Sequence, residues 1–236
     1  MNRRRFSTIA HGEHQYAAPI SADRARELLR VAGVGTGSRV LDIGAGFGGW
    51  ARLAVEMGAE VIAFEPNPEF IDRGRDLGPR VKWMDGNYES ELVAHAIFDT
   101  VLLIGASHAL GGLKAGLPEI DRVLKAGGRA LIGEGYWKCD PDPAYLDVLG
   151  ATPDELLPLN QLCESVPRLA YLTTSTTTEW DHYEGLYRST MLRWLADNAN
   201  DPDAAEFRAH SDRWFKAYCR YGRDTLGFAW LVIEAS

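Results

Sequence analysis

The stretch from Val40 to Trp50 constrains the fold of this chain more than any other part, and it reads Val-Leu-Asp-Ile-Gly-Ala-Gly-Phe-Gly-Gly-Trp. Its first residues are apolar and predict a short buried strand, which a glycine turn joins to a helix. Glycines at alternate positions allow a tight bend and let the backbone approach a ligand closely. The helix begins with unpaired N–H groups, so the sequence predicts a strand–turn–helix unit that binds a nucleotide.

Asp42 stands two residues before the first of these glycines and narrows the choice of ligand. A carboxylate here would repel a pyrophosphate on the turn, whereas it would attract an ammonium or sulfonium group. This favours S-adenosylmethionine over a dinucleotide. The same glycines also fit the Gly-x-Gly-x-x-Gly dinucleotide fingerprint, so an NAD-dependent oxidoreductase is kept as a remote alternative. The chain has no Tyr-x-x-x-Lys pair, which is modest evidence against that alternative.

Strands and helices are predicted to alternate through the first part of the chain. The predicted strands are Arg39–Ile43, Glu60–Phe64, Val81–Met84, Thr100–Ile104 and Arg129–Gly133. The predicted helices are Ala22–Ala32, with Ser21 as N-cap, and Gly49–Met57, Pro68–Leu77, Tyr88–His95 and Lys114–Lys125. The strands are short and almost wholly apolar, which is typical of a parallel sheet covered on both faces. We therefore predict a doubly wound sheet with a ligand crevice at the carboxyl ends of its strands.

The pattern changes after Trp137. We predict a sixth strand at Leu169–Thr178, a seventh at Thr225–Glu234, and helical segments at about Trp180–Asp197 and Ala204–Tyr221. The region from Trp180 to Trp230 is rich in aromatic residues. They either fix a helical insertion onto the sheet or line an acceptor pocket beneath a helical cap, and both interpretations can hold for different residues.

Composition excludes several classes of partner. The formal net charge of −8 argues against broad binding to nucleic acid or to an anionic membrane. We find neither a secretory signal nor an apolar stretch long enough to cross a bilayer. The three cysteines are dispersed, and His11-x-x-His14 is too isolated to indicate a metal site. We expect a cytoplasmic monomer or homodimer with reduced thiols, no metal, and no membrane or nucleic-acid partner.

Further motifs stand at the ends of the later predicted strands. Glu65 ends the second strand, where an acidic side chain can bind both hydroxyls of a ribose. Asp85-Gly86-Asn87 ends the third strand, and the fourth ends in Ile104-Gly105-Ala106-Ser107-His108. This ordered set resembles the class I S-adenosylmethionine-dependent methyltransferases over about residues 40–137. Over nearly the whole chain, Ile132–Trp137 and Trp180–Glu184 make it similar to a mostly uncharacterised bacterial group of the small-molecule type.

We accordingly predict one α/β domain over residues 1–236, with a Rossmann-like, seven-stranded, doubly wound sheet. The sheet is mostly parallel, its last strand is antiparallel, and a helical insertion lies between strands six and seven. Its predicted parts are an N-terminal lid segment and helix (1–33), a cofactor-binding core (34–137), a helical cap with the sixth strand (138–224) and the last strand (225–236).

The resemblance also implies a cofactor site for S-adenosylmethionine, with S-adenosylhomocysteine as product. It places Asp42 and the first glycines at the methionine end, Glu65 at the ribose, and Asp85 at the adenine. The run Glu13–Tyr16 is implied to fold over the cofactor. The full predicted set is Tyr16, Asp42, Gly44, Ala45, Gly46, Glu65, Pro66, Asp85, Gly86, Asn87, Ile104, Gly105 and Ala106. The chain departs from the family at Phe47, where a basic or small residue is usual, and at Asn87-Tyr88.

Methyl transfer from a sulfonium is an in-line displacement, so the protein mainly has to align the acceptor and exclude water. A general base is needed only where the acceptor is protonated at neutral pH. The candidate catalytic residues are His14 on the lid, His108 after strand four and Glu134 at the end of strand five. Each also has a purely structural alternative. His14 would hold the lid segment in place, His108 would cap a helix and face solvent, and Glu134 would form an ion pair with a nearby arginine. His182 is expected to pack structurally, and His95 and His210 to lie at the surface.

The class of acceptor is inferred from the motifs that the sequence lacks. The Asn/Asp-Pro-Pro-Tyr motif of enzymes that methylate base amines or glutamine amides is missing after strand four, as is a Pro-Cys nucleophile. A small molecule methylated on O, N, S or carbon fits best. A peptide or protein acceptor, and a protein that binds S-adenosylmethionine without turnover, stay open as alternatives.

Overall fold

The computed structural model describes residues 1–75, 78–94 and 96–236. Its centre is one seven-stranded sheet with the spatial order β3-β2-β1-β4-β5-β7-β6. The strands are β1 Arg39–Ile43, β2 Glu60–Glu65, β3 Val81–Asp85, β4 Phe98–Ile104, β5 Leu124–Trp137, β6 Leu169–Thr174 and β7 Leu226–Glu234. β7 runs antiparallel to both of its neighbours, whereas the remaining pairs are parallel. The predicted fold class is therefore confirmed.

The helices of seven or more residues in the described chain are α1 Arg3–Ala10, α2 Ala22–Val31, α3 Gly49–Glu56, α4 Pro68–Gly74, α5 Leu113–Val123, α6 Pro143–Leu149, α7 Leu159–Ser165, α8 Thr177–Asp197 and α9 Ala204–Ala217. α2 and α3 pack on one face of the sheet, and α5 and α7 pack on the other. As predicted, Ser21 caps α2, and its side chain accepts a hydrogen bond from the N–H of Arg24. α8 and α9 lie in the chain between β6 and β7. Among the helices described, none combines the length and apolar character that spanning a bilayer requires.

β1 shows how the two apolar layers position the site. Val40 packs into the cluster formed with α2 and α3, whereas Leu41 and Ile43 pack into the cluster on the other face with α5. Because side chains alternate along a strand, Asp42 shares the face of Val40. It is a carboxylate in a strand buried on both sides, and this placement calls for a polar partner.

The predicted helix Tyr88–His95 is wrong. The structure has only a 3₁₀ turn at Ser90–Leu92 there, and Val93 is extended. The reason is tertiary, because Arg122 of α5 donates hydrogen bonds to the carbonyls of Ser90 and Val93 and holds them outside a helix. His95, which was expected at the surface, and Leu77, the predicted end of the α4 helix, lie outside the described residues.

β5 is much longer than the predicted strand Arg129–Gly133. β7 pairs with it continuously from Arg129 to Trp137, so β5 extends past the end of β4. Glu134 therefore lies within the strand, at the first position beyond its pairing with β4. β5 also begins at Leu124, which ends the preceding helix before the predicted Lys125.

Other boundaries shifted because of capping and packing. The sixth strand ends at Thr174, since Thr176 and Glu179 form a capping box that starts α8 within the predicted strand. The last predicted helix changes to a π-helical turn at Tyr218–Gly222, where the ring of Tyr145 packs against Gly222. The short helices α1, α6 and α7 were not predicted.

Candidate functional site

The glycine turn after β1 is held by the neighbouring strands. The N–H groups of Gly44 and Ala45 both donate to the carbonyl of Phe64, at 3.0 and 2.9 Å. Gly44 has φ +73°, and a Cβ there would lie 2.5 Å from the Cβ of Ala106. Glycine is therefore required at this position by both its backbone conformation and the approach of the segment after β4.

Asp42 lies buried behind this turn, with 2% of its surface exposed. Its Oδ2 atom has no hydrogen-bond partner among the residues that the structure describes. Burial, and next the charge of Glu65, raise the pKa of the Asp42 carboxyl to about 7. A buried carboxylate oxygen without a partner is costly, and a cationic ligand group would satisfy it. This acceptor fits the methionine ammonium of S-adenosylmethionine, which would donate to it.

Glu65 fixes the geometry on the other side of the turn. Its Oε2 accepts from the N–H of Gly46, and its Oε1 accepts from the N–H of Asn67, both at 2.8 Å. Burial raises the pKa of the Glu65 carboxyl, and these two amides oppose that shift. Glu65 and the following Pro66 thus lead from β2 into α4, whose N-cap is Asn67. The carboxylate is held rigidly at the position where the sequence predicts the ribose.

The predicted adenine ligands lie beside it at the same edge of the sheet. Asp85 is the register partner of Glu65, and the N–H of Gly86 donates to the Glu65 carbonyl at 3.1 Å. Gly86 has φ +124°, which turns the chain sharply after β3. Asp85 and Asn87 are exposed to solvent. The structure therefore brings the predicted methionine, ribose and adenine residues to the ends of three adjacent strands.

The segment after β4 separates two environments. Ile104 ends the strand, and the N–H of Gly105 donates to the Gly133 carbonyl at 2.8 Å. The chain then forms a 3₁₀ turn at Ser107–Leu110. His108 lies on the side of Glu65, where a positive charge on it would lower the Glu65 pKa. Ser107 lies on the side of β5.

A cavity of about 690 Å³ opens at the carboxyl ends of β4 and β5, and Ser107 and Glu134 line it. Its apolar wall comes from four leucines, Leu113, Leu156, Leu157 and Leu162. Burial raises the pKa of the Glu134 carboxyl, and hydrogen bonds from the Ser107 hydroxyl and the Gly135 N–H oppose that shift. Oε2 of Glu134 is buried and has no partner within residues 1–75, 78–94 and 96–236. Such a cavity suits an apolar molecule that carries one hydrogen-bond donor.

Residues 11–20 join α1 to α2, and we call them the connector. A Cβ at Gly49 would lie 1.9 Å from the carbonyl oxygen of Gln15, so the connector rests on the start of α3. His14 is buried, with Nε2 3.0 Å from the Tyr183 carbonyl of α8, and its Nδ1 is unpaired within the described chain. The Tyr16 ring packs on Trp50 with centroids 5.1 Å apart.

Comparisons with known proteins give the family. The model of the family described as a methyltransferase domain matches residues 40–128. The protein YjhP of Escherichia coli K12, whose function is uncharacterised, is 30% identical over 98% of both chains. Two crystal structures of S-adenosylmethionine-dependent methyltransferases with S-adenosylhomocysteine match over 98% of both chains. One, from Thiobacillus denitrificans, has a TM-score of 0.86 and 26% identity, and the other, from Geobacter sulfurreducens, has 0.87 and 27%.

The chain belongs to the class I S-adenosylmethionine-dependent methyltransferases. This membership confirms the class and the cofactor predicted from the glycine turn and Asp42, against the dinucleotide alternative. The roles of the individual cofactor-binding and catalytic residues stay predictions.

Sequence reasoning missed two residues that contact the candidate site, Asn67 beside Glu65 and Arg73 beside Phe47. Asn67 was signalled by its place before Pro68, which is typical of a helix N-cap. Arg73 had no signal of its own, although the unusual Phe47 on which it stacks stood out in the glycine turn. Of the remaining histidines, His210 was expected at the surface but is partly buried, with its ring against Phe6 at 4.7 Å.

Proposed function

We propose that this protein transfers the methyl group of S-adenosylmethionine to a small-molecule acceptor, with the methylated atom being O, N, S or carbon. The observation that carries the proposal is the buried Asp42 oxygen behind the glycine turn, which has no partner among the described residues. A buried carboxylate is expensive to keep in a strand unless a cation pairs with it. The relatives crystallised with S-adenosylhomocysteine support the same site for this chain.

When bound, the cofactor supplies an electrophilic methyl group on a sulfonium sulfur. Asp42 would pair with the ammonium of the methionine part, and Glu65 would accept hydrogen bonds from the ribose hydroxyls. Asp85 would accept from the adenine amino group, as the resemblance implies. Tyr16 and the connector would exclude water from one side, so that water does not compete with the acceptor for the methyl group.

The acceptor would occupy the cavity that Ser107 and Glu134 line. The leucine wall supports an apolar body, and the Glu134 carboxylate supports a hydroxyl or amine that donates to it. As a general base, Glu134 would take the proton that the acceptor loses, and a raised pKa favours that transfer. His108 is the second candidate base, and His14 a third, although its Nε2 is held by the Tyr183 carbonyl.

Calorimetric titration of the purified protein with S-adenosylmethionine, S-adenosylhomocysteine and NADH tests the cofactor. Micromolar binding of the two sulfur ligands and none of NADH is expected, whereas the reverse would overturn the proposal. Incubation of the protein and S-adenosylmethionine with a panel of small alcohols, amines, thiols and phenols then tests turnover. Formation of S-adenosylhomocysteine together with a methylated product in the mass spectrum supports catalysis. Binding without product across the panel would favour a protein that does not turn over, or one with a larger acceptor.

A further inference from the structure

The connector lies on the start of α3, directly after the glycine turn, so it would have to move for a ligand to pass along that side. Its backbone at Gln15 lies directly on Gly49, at the start of α3. On the side of the late helices it is fixed to α8, because His14 bonds to the Tyr183 carbonyl and His11 to the Tyr183 hydroxyl at 2.9 Å. These contacts hold the connector to the cap but do not tie it to the cofactor-binding core.

Arg73 adds a polar tie between the connector and the core to the packing of Tyr16 on Trp50. It stands in the last turn of α4, where a cation is favoured by the helix dipole. Its guanidinium donates to the carbonyl of His11 at 3.0 Å and to the carbonyl of His14 at 3.3 Å. The same two residues are joined by a backbone bond from the His14 N–H to the His11 carbonyl. One side chain therefore binds both ends of this tight turn of the connector.

The guanidinium is also placed over the glycine turn itself. It stacks on the ring of Phe47 at 4.2 Å from the centroid, and that ring is supported edge-on by Phe70 at 5.7 Å. Phe47 is mostly buried and stands between two glycines of positive φ, Gly46 and Gly48. A cation over an aromatic face adds a modest attraction that strengthens as water is excluded. The glycine turn, α4 and the connector are therefore joined through the side chain of Arg73.

We propose that Arg73 is a positioning residue for the cofactor, which holds the connector closed over the glycine turn and so sets how long the cofactor stays bound. The inference rests on the proposed function for its effect on the cofactor. Its structural part, the hold of Arg73 on the connector, does not depend on that function. Arg73 has no role in the chemical step, and its effect passes through the connector and Phe47.

We test this proposal by comparing the wild-type protein with Arg73→Gln, Arg73→Lys and the control variant Arg75→Gln. Arg75 lies two residues further on, is exposed, and pairs with Asp72 on its own helix at 2.7 Å. Hydrogen exchange of the amides of residues 11–16 is measured in the ligand-free protein. The dissociation rate of S-adenosylhomocysteine is measured by a chase with excess unlabelled ligand. Melting temperature and exchange in β4 report whether the whole fold has been weakened.

In Arg73→Gln, the connector amides are expected to exchange faster than in the wild type, and S-adenosylhomocysteine is expected to dissociate about tenfold faster. Both effects follow because two charge-assisted hydrogen bonds and a stacking contact are lost. Exchange in β4 should not change. Arg73→Lys should lie between, since it keeps the charge but not the planar fork, and Arg75→Gln should match the wild type. If the amides of residues 11–16 exchange at the same rate in Arg73→Gln as in the wild type, the proposal is overturned. Should the wild type bind no S-adenosylhomocysteine, the proposed function fails, and the ligand-free exchange still decides the role of Arg73.

Discussion

Two carboxylates lie close together at the carboxyl ends of β1 and β2. Glu65 is satisfied by the amides of Gly46 and Asn67, whereas the buried oxygen of Asp42 is left unpaired within the described residues. The Glu65 charge further disfavours ionisation of Asp42. The ligand-free site is therefore electrostatically incomplete, and a bound cation would relieve both the burial of Asp42 and its repulsion by Glu65.

This incompleteness predicts a pH dependence for cofactor binding. The Asp42 pKa in the ligand-free protein is about 7, raised from 3.8, so the group is mostly protonated below pH 7 and mostly ionised above it. Because only the carboxylate pairs with the ligand ammonium, the affinity for S-adenosylhomocysteine should rise about tenfold between pH 6 and pH 8 and then level off. Calorimetric titration at several pH values measures this rise.

Asp42→Asn is the matched variant for that experiment. It keeps the size of the side chain and removes the charge, so its affinity should be lower at pH 8 and nearly independent of pH. A wild-type affinity that does not change with pH would remove Asp42 from the proposed ammonium site. An unchanged slope in Asp42→Asn would assign the pH dependence to another group.

At the scale of elements, the 3₁₀ turn after β4 lies between Glu65, at the proposed cofactor site, and the cavity proposed for the acceptor. We predict that His108→Ala and Glu134→Gln lower turnover more than cofactor affinity. A lost general base costs roughly 10²–10⁴-fold in turnover, whereas the affinity for S-adenosylhomocysteine should change by only about twofold. Steady-state rates with an acceptor found in the panel, beside calorimetry with S-adenosylhomocysteine, measure the two effects. An equal loss of rate and affinity in a variant would contradict a catalytic role for that residue.

Substitution by alanine is predicted to have opposite effects on stability at two helical glycines, Gly49 at the start of α3 and Gly185 within α8. A Cβ at Gly49 would lie 1.9 Å from the Gln15 carbonyl, whereas a Cβ at Gly185 in α8 meets nothing within 4 Å. Gly49→Ala must therefore displace the connector and should destabilise the protein by roughly 1–3 kcal/mol. Gly185→Ala should stabilise it by roughly 0.5–1 kcal/mol, because alanine is the better helix former.

Urea unfolding of both variants measures these changes. Faster hydrogen exchange of residues 11–16 in Gly49→Ala, but not in Gly185→Ala, would show that the strain reaches the connector. A Gly49→Ala variant as stable as the wild type would mean that the connector does not rest on α3.

At the scale of the whole molecule, the sequence predicted correctly those elements whose structure is determined by residues close to them in the chain. β1, its glycine turn and Glu65 follow from apolar runs and turn chemistry, and they lie where predicted. The length of β5 depends on β7, which lies far along the chain, and the missing helix near Ser90 depends on Arg122. The contact of Arg73 with the connector likewise joins distant segments, so no local pattern announces it.

The packing of α8 on α9 gives a second case of a buried acid, distant in sequence from the cofactor-binding core. Glu184 of α8 is 4% exposed, and its Oε2 accepts a hydrogen bond from Trp214 Nε1 of α9 at 2.9 Å. Its charge acts on the hydroxyls of four surrounding tyrosines, Tyr145, Tyr183, Tyr187 and Tyr218. Burial among these rings raises the pKa of Glu184 to about 7, from 4.5.

The raised pKa of Glu184 predicts how global stability responds to pH. Because the folded protein binds this proton more tightly than the unfolded chain, its contribution to the free energy of unfolding is fully present below pH 4.5 and falls as the pH rises to about 7. Glu184→Gln lacks that loss and keeps an oxygen for Trp214. Its gain over the wild type should therefore grow from near zero at pH 4.5 to at most about 3 kcal/mol at pH 8.

Urea unfolding of the ligand-free protein at both pH values checks this expectation, with the exposed Glu164→Gln as control. The control should leave the pH profile of the wild type unchanged. Glu184 is then a group whose ionisation weakens the contact between α8 and α9, and the connector is fixed to the same helix through Tyr183. A stability difference between Glu184→Gln and the wild type that is the same at pH 4.5 and pH 8 would contradict the raised pKa. It would leave the hydrogen bond to Trp214 as the contribution of this residue.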